Sequence, residues 1–305
     1  MMYTSTLFAA YFVLAAGTIY ASPINLEDRS VSSLSATDLA SLAPFTQFAR
    51  AAYCPTSLLK NWNCGQACQA NSDFQPTLVD GDGNAVQIFF VGFSPSQNSI
   101  IVAHEGTDPT QFLSDLTDIN IAMDTLDSTL FPGVSSSVQV HQGFRNEHAL
   151  TATTILNEVK RLISVKNTNK VTIVGHSLGG ALSELDSLFL TLNLPSSTSI
   201  SAVTYGTPAL VIQPLLSLLT KRFQISEEST TSKISSNRSW SFLGIPASHG
   251  EVHIISPGNA VACSGDDDAT DSQCTIESVP NIFEGNILNH LGPYQGINIG
   301  TIFCT

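Results

Sequence analysis

Apolar positions three and four apart open the first regular pattern of the chain: Leu39, Leu42, Phe45, Phe48, Ala49 and Ala52. That spacing predicts an amphipathic helix from Thr37, with Pro44 a candidate break in its first turns. Two β-type runs follow, Ala85 to Val91 and Ser99 to His104, divided by the turn-rich stretch from Gly92 to Asn98; they read as neighbouring strands. From Phe144 to Val165 the period returns to helical, with Leu150, Ile155, Val159, Leu162 and Ile163 on one face. This helix leads into the buried-strand run Val171-Thr172-Ile173-Val174. A second helix through Leu192 and a strand from Ser199 to Tyr205 continue the alternation. Helix and strand in turn imply an α/β fold, a mostly parallel central sheet covered by helices on both faces. The segment from Ile225 to Ser241 breaks this pattern with seven serines and two threonines, and reads as an exposed loop or insert.

The two ends of the chain add a compartment. The first 21 residues carry no charged side chain, and Leu7 to Gly17 is an apolar run of signal-peptide length, too short to span a bilayer. Ile19-Tyr20-Ala21 before Ser22-Pro23 has the small-residue character of a cleavage point, so residues 1–21 are expected to be a signal peptide and 22–305 one secreted domain with no transmembrane segment. Six cysteines remain after it, an even number that suits disulfides in an oxidising compartment. Proximity favours Cys64 with Cys68 and Cys263 with Cys274, leaving Cys54 for Cys304; a zinc site is a weak reading, since no histidine lies at ligand spacing. Asn237-Arg238-Ser239 is a glycosylation sequon.

Charge excludes one class of partner. With 12 Lys+Arg against 25 Asp+Glu the chain carries a net −13, whereas nucleic-acid binding needs a basic surface that releases counterions. At 43% hydrophobic and 12% charged residues, the chain has the composition of a folded domain.

The chemistry is concentrated after the strand-like run 171–174, where Gly175-His176-Ser177-Leu178-Gly179 has the pattern G-x-S-x-G between a strand and a helix. Such a turn holds a serine hydroxyl out at the sheet edge, and glycines on either side remove side chains that would collide there. Ser177 is therefore the candidate nucleophile, and it needs a histidine base from further along the chain. His290, in Asn289-His290-Leu291-Gly292-Pro293-Tyr294, is favoured over His253 in its strand-like setting and over His249. Oxyanion donors are expected from the Leu178 N–H and from Thr107, which ends the strand-to-turn sequence Ala103-His104-Glu105-Gly106-Thr107. Glu184 and Asp186, on the helix after Ser177, are read as pointing away from the base. The acidic run Asp266, Asp267, Asp268 and Asp271 is read as a solvated disulfide loop rather than a calcium site, and no metal or other cofactor is expected.

Five motifs in order, His104-Glu105-Gly106-Thr107, Val140-His141-Gln142-Gly143-Phe144, the Gly175 to Gly180 elbow, Thr204-Tyr205-Gly206-Thr207-Pro208 and His290-Leu291-Gly292-Pro293-Tyr294, make the chain resemble the fungal class 3 lipases from about residue 40 onward. The resemblance implies an α/β-hydrolase that cleaves acylglycerols and related esters, with Ser177, His290, Thr107 and Leu178 in the roles just given. It implies the terminal Cys54–Cys304 bridge as well. A lid helix within Asp108 to Asp118, apolar through Phe112, Leu113 and Leu116, would touch the lipid–water interface.

The chain departs from the family at the triad acid. The resemblance places an aspartate within 227–237, yet the only carboxylates there are Glu227 and Glu228. Three accounts compete at this point: Glu228 or Glu227 serves as the acid, residues 225–241 reflect a shifted splice junction that lost the aspartate, or activity is impaired. The functional alternatives to a triacylglycerol lipase are accordingly a feruloyl or carotenoid-ester esterase and a catalytically impaired lipid-binding relative.

Overall fold

The computed structural model describes residues 31–108, 122–207, 234–236, 249–256, 259–266, 273 and 287–305. Strand β1 (Ser32–Ser33) precedes helix α1 (Ala36–Ala51), α2 (Thr56–Lys60) and α3 (Gln66–Ala70). Strands β2 (Gln75–Asp80), β3 (Phe89–Ser94), β4 (Ser99–His104), β5 (Met123–Thr125) and β6 (Gln139–His141) follow, then helix α4 (Gln142–Lys166). The elbow joins β7 (Lys170–His176) to α5 (Leu178–Asn193), and β8 (Ser199–Tyr205), β9 (Ile234–Ser236), β10 (His249–Ser256), β11 (Asn259–Asp266) and the short α6 (Ile287–His290) complete the order.

One nine-stranded sheet runs β1-β11-β10-β9-β8-β7-β4-β3-β2, and β5 pairs with β6 apart from it. Its centre is parallel from β4 through β7, β8 and β9 to β10, and both flanks are antiparallel. Strand alternation divides the core into two. Ile100, Val102, Val171 and Ile173 pack with Ile155, Val159, Leu162 and Leu185 of α4 and α5. Ile101, Ala103, Val174, Val203 and Tyr205 face the other way, onto Phe48, Tyr53 and Tyr294. Among the described residues no helix is long and apolar enough to cross a membrane.

Local differences from the sequence reading have physical causes. Helix α1 continues through Pro44, opened by Ser35 Oγ, which accepts from Asp38 N–H, and closed near Arg50. The strand expected at Ala85 starts at Phe89 and passes through Gly92, because a side chain there would meet the Phe74 ring. Leu150 does not join the buried stripe of α4: it is 59% exposed. His290 ends a short helical turn.

The bridges Cys54–Cys304 and Cys64–Cys68 form, and Cys263 is disulfide-bonded, its expected partner Cys274 lying outside the described residues. The first bridge is reinforced by Arg50, whose Nε donates to Phe303 O at 2.7 Å, and by Gln66 N–H, which donates to Thr305 O at 2.7 Å. The N-terminal helices and the C-terminus thus form one lid over the second face of the sheet.

Candidate active site

Ser177 sits where β7 turns into α5, with φ 57° and ψ −128°. A non-glycine residue reaches that conformation only when its surroundings over-determine it. Here they do: Ser177 N–H donates to Tyr205 O at 2.9 Å, and Ser177 O accepts from Gly180 N–H at 2.8 Å. Gly175 has the backbone of Gly179 against it, and a side chain on Gly179 would strike the carbonyl oxygens of His104 and Glu105. The glycines therefore bring the β4 exit loop onto the start of α5. A Cβ on Gly106 would lie 3.0 Å from that of Ser177, so the loop carrying half-buried Thr107 lies directly beside the serine. On the serine's other side Leu178 opens α5, and the first N–H groups of a helix have no intrahelical acceptor. Ser177 Oγ is buried and has no hydrogen-bond partner among the described residues.

His290 reaches the same strand ends from the C-terminal segment. Its Nδ1 would lie 2.8 Å from a Cβ on Gly206, which follows β8 at φ 53°, and its ring centroid is 4.6 Å from that of His176. The His290 carbonyl accepts from His176 Nε2 and from Tyr294 Oη, both at 2.8 Å. Burial and the neighbouring His176 ring hold the His290 imidazole well below its ordinary value, so it is neutral and able to take a proton.

With Ser177, the Gly106 loop and His290 at one sheet edge, the comparison with known families follows: residues 101–231 match the model for "Lipase (class 3)". That segment is similar to the class 3 lipases. The secreted alkaline triacylglycerol lipase of Penicillium cyclopium is 34% identical over 113 residues, 37% of this chain and 38% of that one. A secreted mono- and diacylglycerol lipase of Malassezia globosa is 34% identical over 114 residues, 37% of each. The matched stretch thus spans well under half the length of these curated relatives. Among solved structures, the Rhizomucor miehei lipase propeptide complex superposes with a TM-score of 0.74 at 21% identity, covering 90% of this chain and 85% of that one. Lipase II of Rhizopus niveus gives 0.72 at 22%, covering 90% and 100%. The fold is that of the α/β-hydrolases.

Within this fold, two buried clusters flank the elbow. On the helical face Asp186, fully buried, accepts from His104 Nε2 at 2.7 Å and from His148 Nε2 at 2.9 Å. Burial alone would raise its carboxyl, but the two imidazole donors hold it at about 2. On the other face Tyr53 Oη is 2.6 Å from His176 Nδ1, and burial takes the His176 imidazole down to about 4. Glu105, between them in the loop, accepts from Ile88 N–H at 3.1 Å; burial pushes its carboxyl up to about 7.

Sequence reasoning brought Ser177, Leu178, Thr107 and His290 to one edge and missed Tyr53, His176, Tyr294 and the histidine partners of Asp186. Strand parity was the available signal for the histidines: His104 shares a face with Ile100 and Val102, and His176 with Val174. His253 lies buried in β10 with Nδ1 on the Gln273 carbonyl oxygen, apart from this group. Glu227 and Glu228, His249's side chain, the sequon, Asp267, Asp268 and Asp271, and the lid beyond Asp108 lie outside the described residues.

Proposed function

We propose that this chain is a secreted serine ester hydrolase that cleaves acylglycerols through an acyl-enzyme. The observation that carries it is the backbone of Ser177, held at positive φ beside the Gly106 loop and directly after His176, whose ring lies 4.6 Å from that of the neutral His290. Ser177 Oγ attacks the ester carbonyl carbon while His290 takes its proton. The N–H groups of Thr107 and Leu178 stabilise the oxyanion, and the proton passes to the departing alcohol. Water activated by His290 then releases the acid. The acylglycerol substrate is supported by the names of the Penicillium and Malassezia relatives, and the triad by a triacylglycerol lipase described as having a serine-protease triad, TM-score 0.73 at 21% identity.

Residues 1–21 act as the signal peptide of a single domain at 22–305, and 108–118 act as the lid that meets the lipid surface. Glu228, with Glu227 as its alternate, supplies the acid that orients His290.

Hydrolysis of a short and a long p-nitrophenyl ester, with Ser177→Ala alongside, tests the reading. Turnover should fall by about 10⁴-fold or more in the variant while the fold persists; retained turnover would remove Ser177 from the role. Replacing Glu227 and Glu228 by Ala one at a time should lower kcat steeply at only one, about 10⁴-fold by analogy with loss of a triad acid. Equal kcat in both variants would place the acid elsewhere. If folded wild-type protein bound lipid without turning over ester, the impaired reading, motivated by the absence of an aspartate at 227–237, would replace this one.

A further inference from the structure

The cluster on the second face has a direction that follows from valence. The His290 carbonyl can only accept, so His176 Nε2 must carry the proton that it donates. His176 is neutral, its imidazole held far below the ordinary range by burial, so its Nδ1 has no proton and must accept. The Tyr53 hydroxyl therefore donates to Nδ1, and it packs so closely against Gly106 that a side chain on that residue would collide with it. One chain of hydrogen bonds results, running from Tyr53 through His176 to the His290 carbonyl. It links a hydroxyl seated on the loop beside the nucleophile to the segment that carries the base, and it does not include the Ser177 hydroxyl.

We propose that Tyr53 is a positioning residue for the esterase reaction, its hydroxyl holding the oxyanion loop and the base segment in mutual register through His176. The proposal rests on the reading of Ser177 and His290 as nucleophile and base. Tyr53 is suited to the task because it is fixed from behind: it is 2% exposed, and the next residue is the Cys54 bridged to Cys304. The hydroxyl is thus mounted on the same cross-link that ties down the C-terminal segment.

The test is Tyr53→Phe in the full chain, with kcat per active site from fluorophosphonate titration, KM, melting temperature and histidine ¹⁵N NMR. Tyr53→Phe should lower kcat per site by about tenfold or more, as a shift in reacting geometry does, with KM within about twofold of wild type. His176→Gln keeps a donor for the His290 carbonyl but places no acceptor at the Nδ1 position that Tyr53 meets, so it should lose a similar factor, and the double variant should lose no more than the larger single effect. Unchanged kcat per titrated site in Tyr53→Phe, or losses that multiply in the double variant, would overturn the proposal, since a merely structural hydroxyl changes only the number of active molecules. NMR decides independently of turnover: wild-type His176 protonated at Nε2 supports the chain, and protonation at Nδ1 breaks it. Wild type without Ser177-dependent turnover would instead overturn the catalytic reading, and the positioning role with it, while the tautomer still judges the hydrogen-bond chain.

Discussion

Two histidine clusters lie on opposite faces of the same strand ends, and they solve the problem of burying imidazole in opposite ways. On the helical face His104 and His148 converge on the carboxylate of Asp186, which burial penalises and the two donors rescue. On the other face no carboxylate among the described residues bonds His176. It lies between a phenol and a carbonyl oxygen, and burial keeps it neutral. The ionic cluster locks β4 to α4 and α5, behind the elbow, whereas the neutral one connects the parts that would carry out the reaction. A base that must accept and return a proton works best where no fixed negative charge beyond its own acid pins the proton; a scaffold has no such requirement.

The comparison breaks most readily at Asp186. Asp186→Ala removes the acceptor shared by two buried histidines and should destabilise the fold by about 3–5 kcal/mol, read by urea unfolding at neutral pH. His176→Gln should cost less, about 1–3 kcal/mol, as for an uncharged buried hydrogen bond. Equal losses at the two sites would erase the distinction between ionic and neutral.

Next in size is the response to acid, where the two clusters should separate along the pH axis. The imidazole of His176 has a folded value of about 4 against an ordinary 6.5. The unfolded chain therefore binds the extra proton between those limits, and stability present above pH 6.5 is lost as pH falls toward 4, on the order of 3 kcal/mol. For Asp186 the window runs from 3.8 down to about 2, again with stability lost on acidification. Glu105 runs the other way: with its carboxyl raised to about 7 from 4.5, the native state holds the proton, and stability falls as pH rises through that interval. Unfolding measured from pH 7 to 4.5 in a Glu105→Gln background should therefore isolate the histidine contribution, and His176→Gln in that background should make it shallower, with His290 keeping its share. An undiminished slope after the histidine replacement would assign the acid response to other groups.

The smallest effect is a control on the helical face. Leu150→Ala should change stability by no more than about 0.5 kcal/mol, because the side chain is exposed; Ile155→Ala, one turn further and fully buried, should cost about 2–5 kcal/mol.

Leu150 also marks where sequence reading ends. Periodicity placed α1, α4, α5, β4, β7 and β8 because each packs one face, or both, into a core with a period of 2 or 3.6. Leu150 does not share that period: at about 100° per residue the five-residue step to Ile155 turns about 140°, which carries Leu150 off the stripe of Ile155, Val159, Leu162 and Ile163 and into solvent. The elbow was legible for a different reason: its glycines answer collisions with Gly179, His104 and Glu105 that any strand-to-helix turn of this shape must avoid. Tyr53 and Asp186 were not legible as partners of histidines, since each contact spans from 38 to 123 residues and depends on which element lies over which strand end.

The Cys54–Cys304 bridge turns almost the whole molecule into a covalent ring 250 residues around. Ser177, Thr107 and His290 all lie on that ring, and the residues before Cys54 form its covalent tail, of which α1 packs into the core. A protease that cuts once within the ring opens the circle but releases no fragment, so the halves bearing serine and histidine stay tethered and free to close again. A single nick there should leave the mass on a non-reducing gel unaltered and reveal itself only after thiol treatment, whereas trimming of the tail is visible at once. Shortening at the front and wear in the middle are thereby two separate events for this protein.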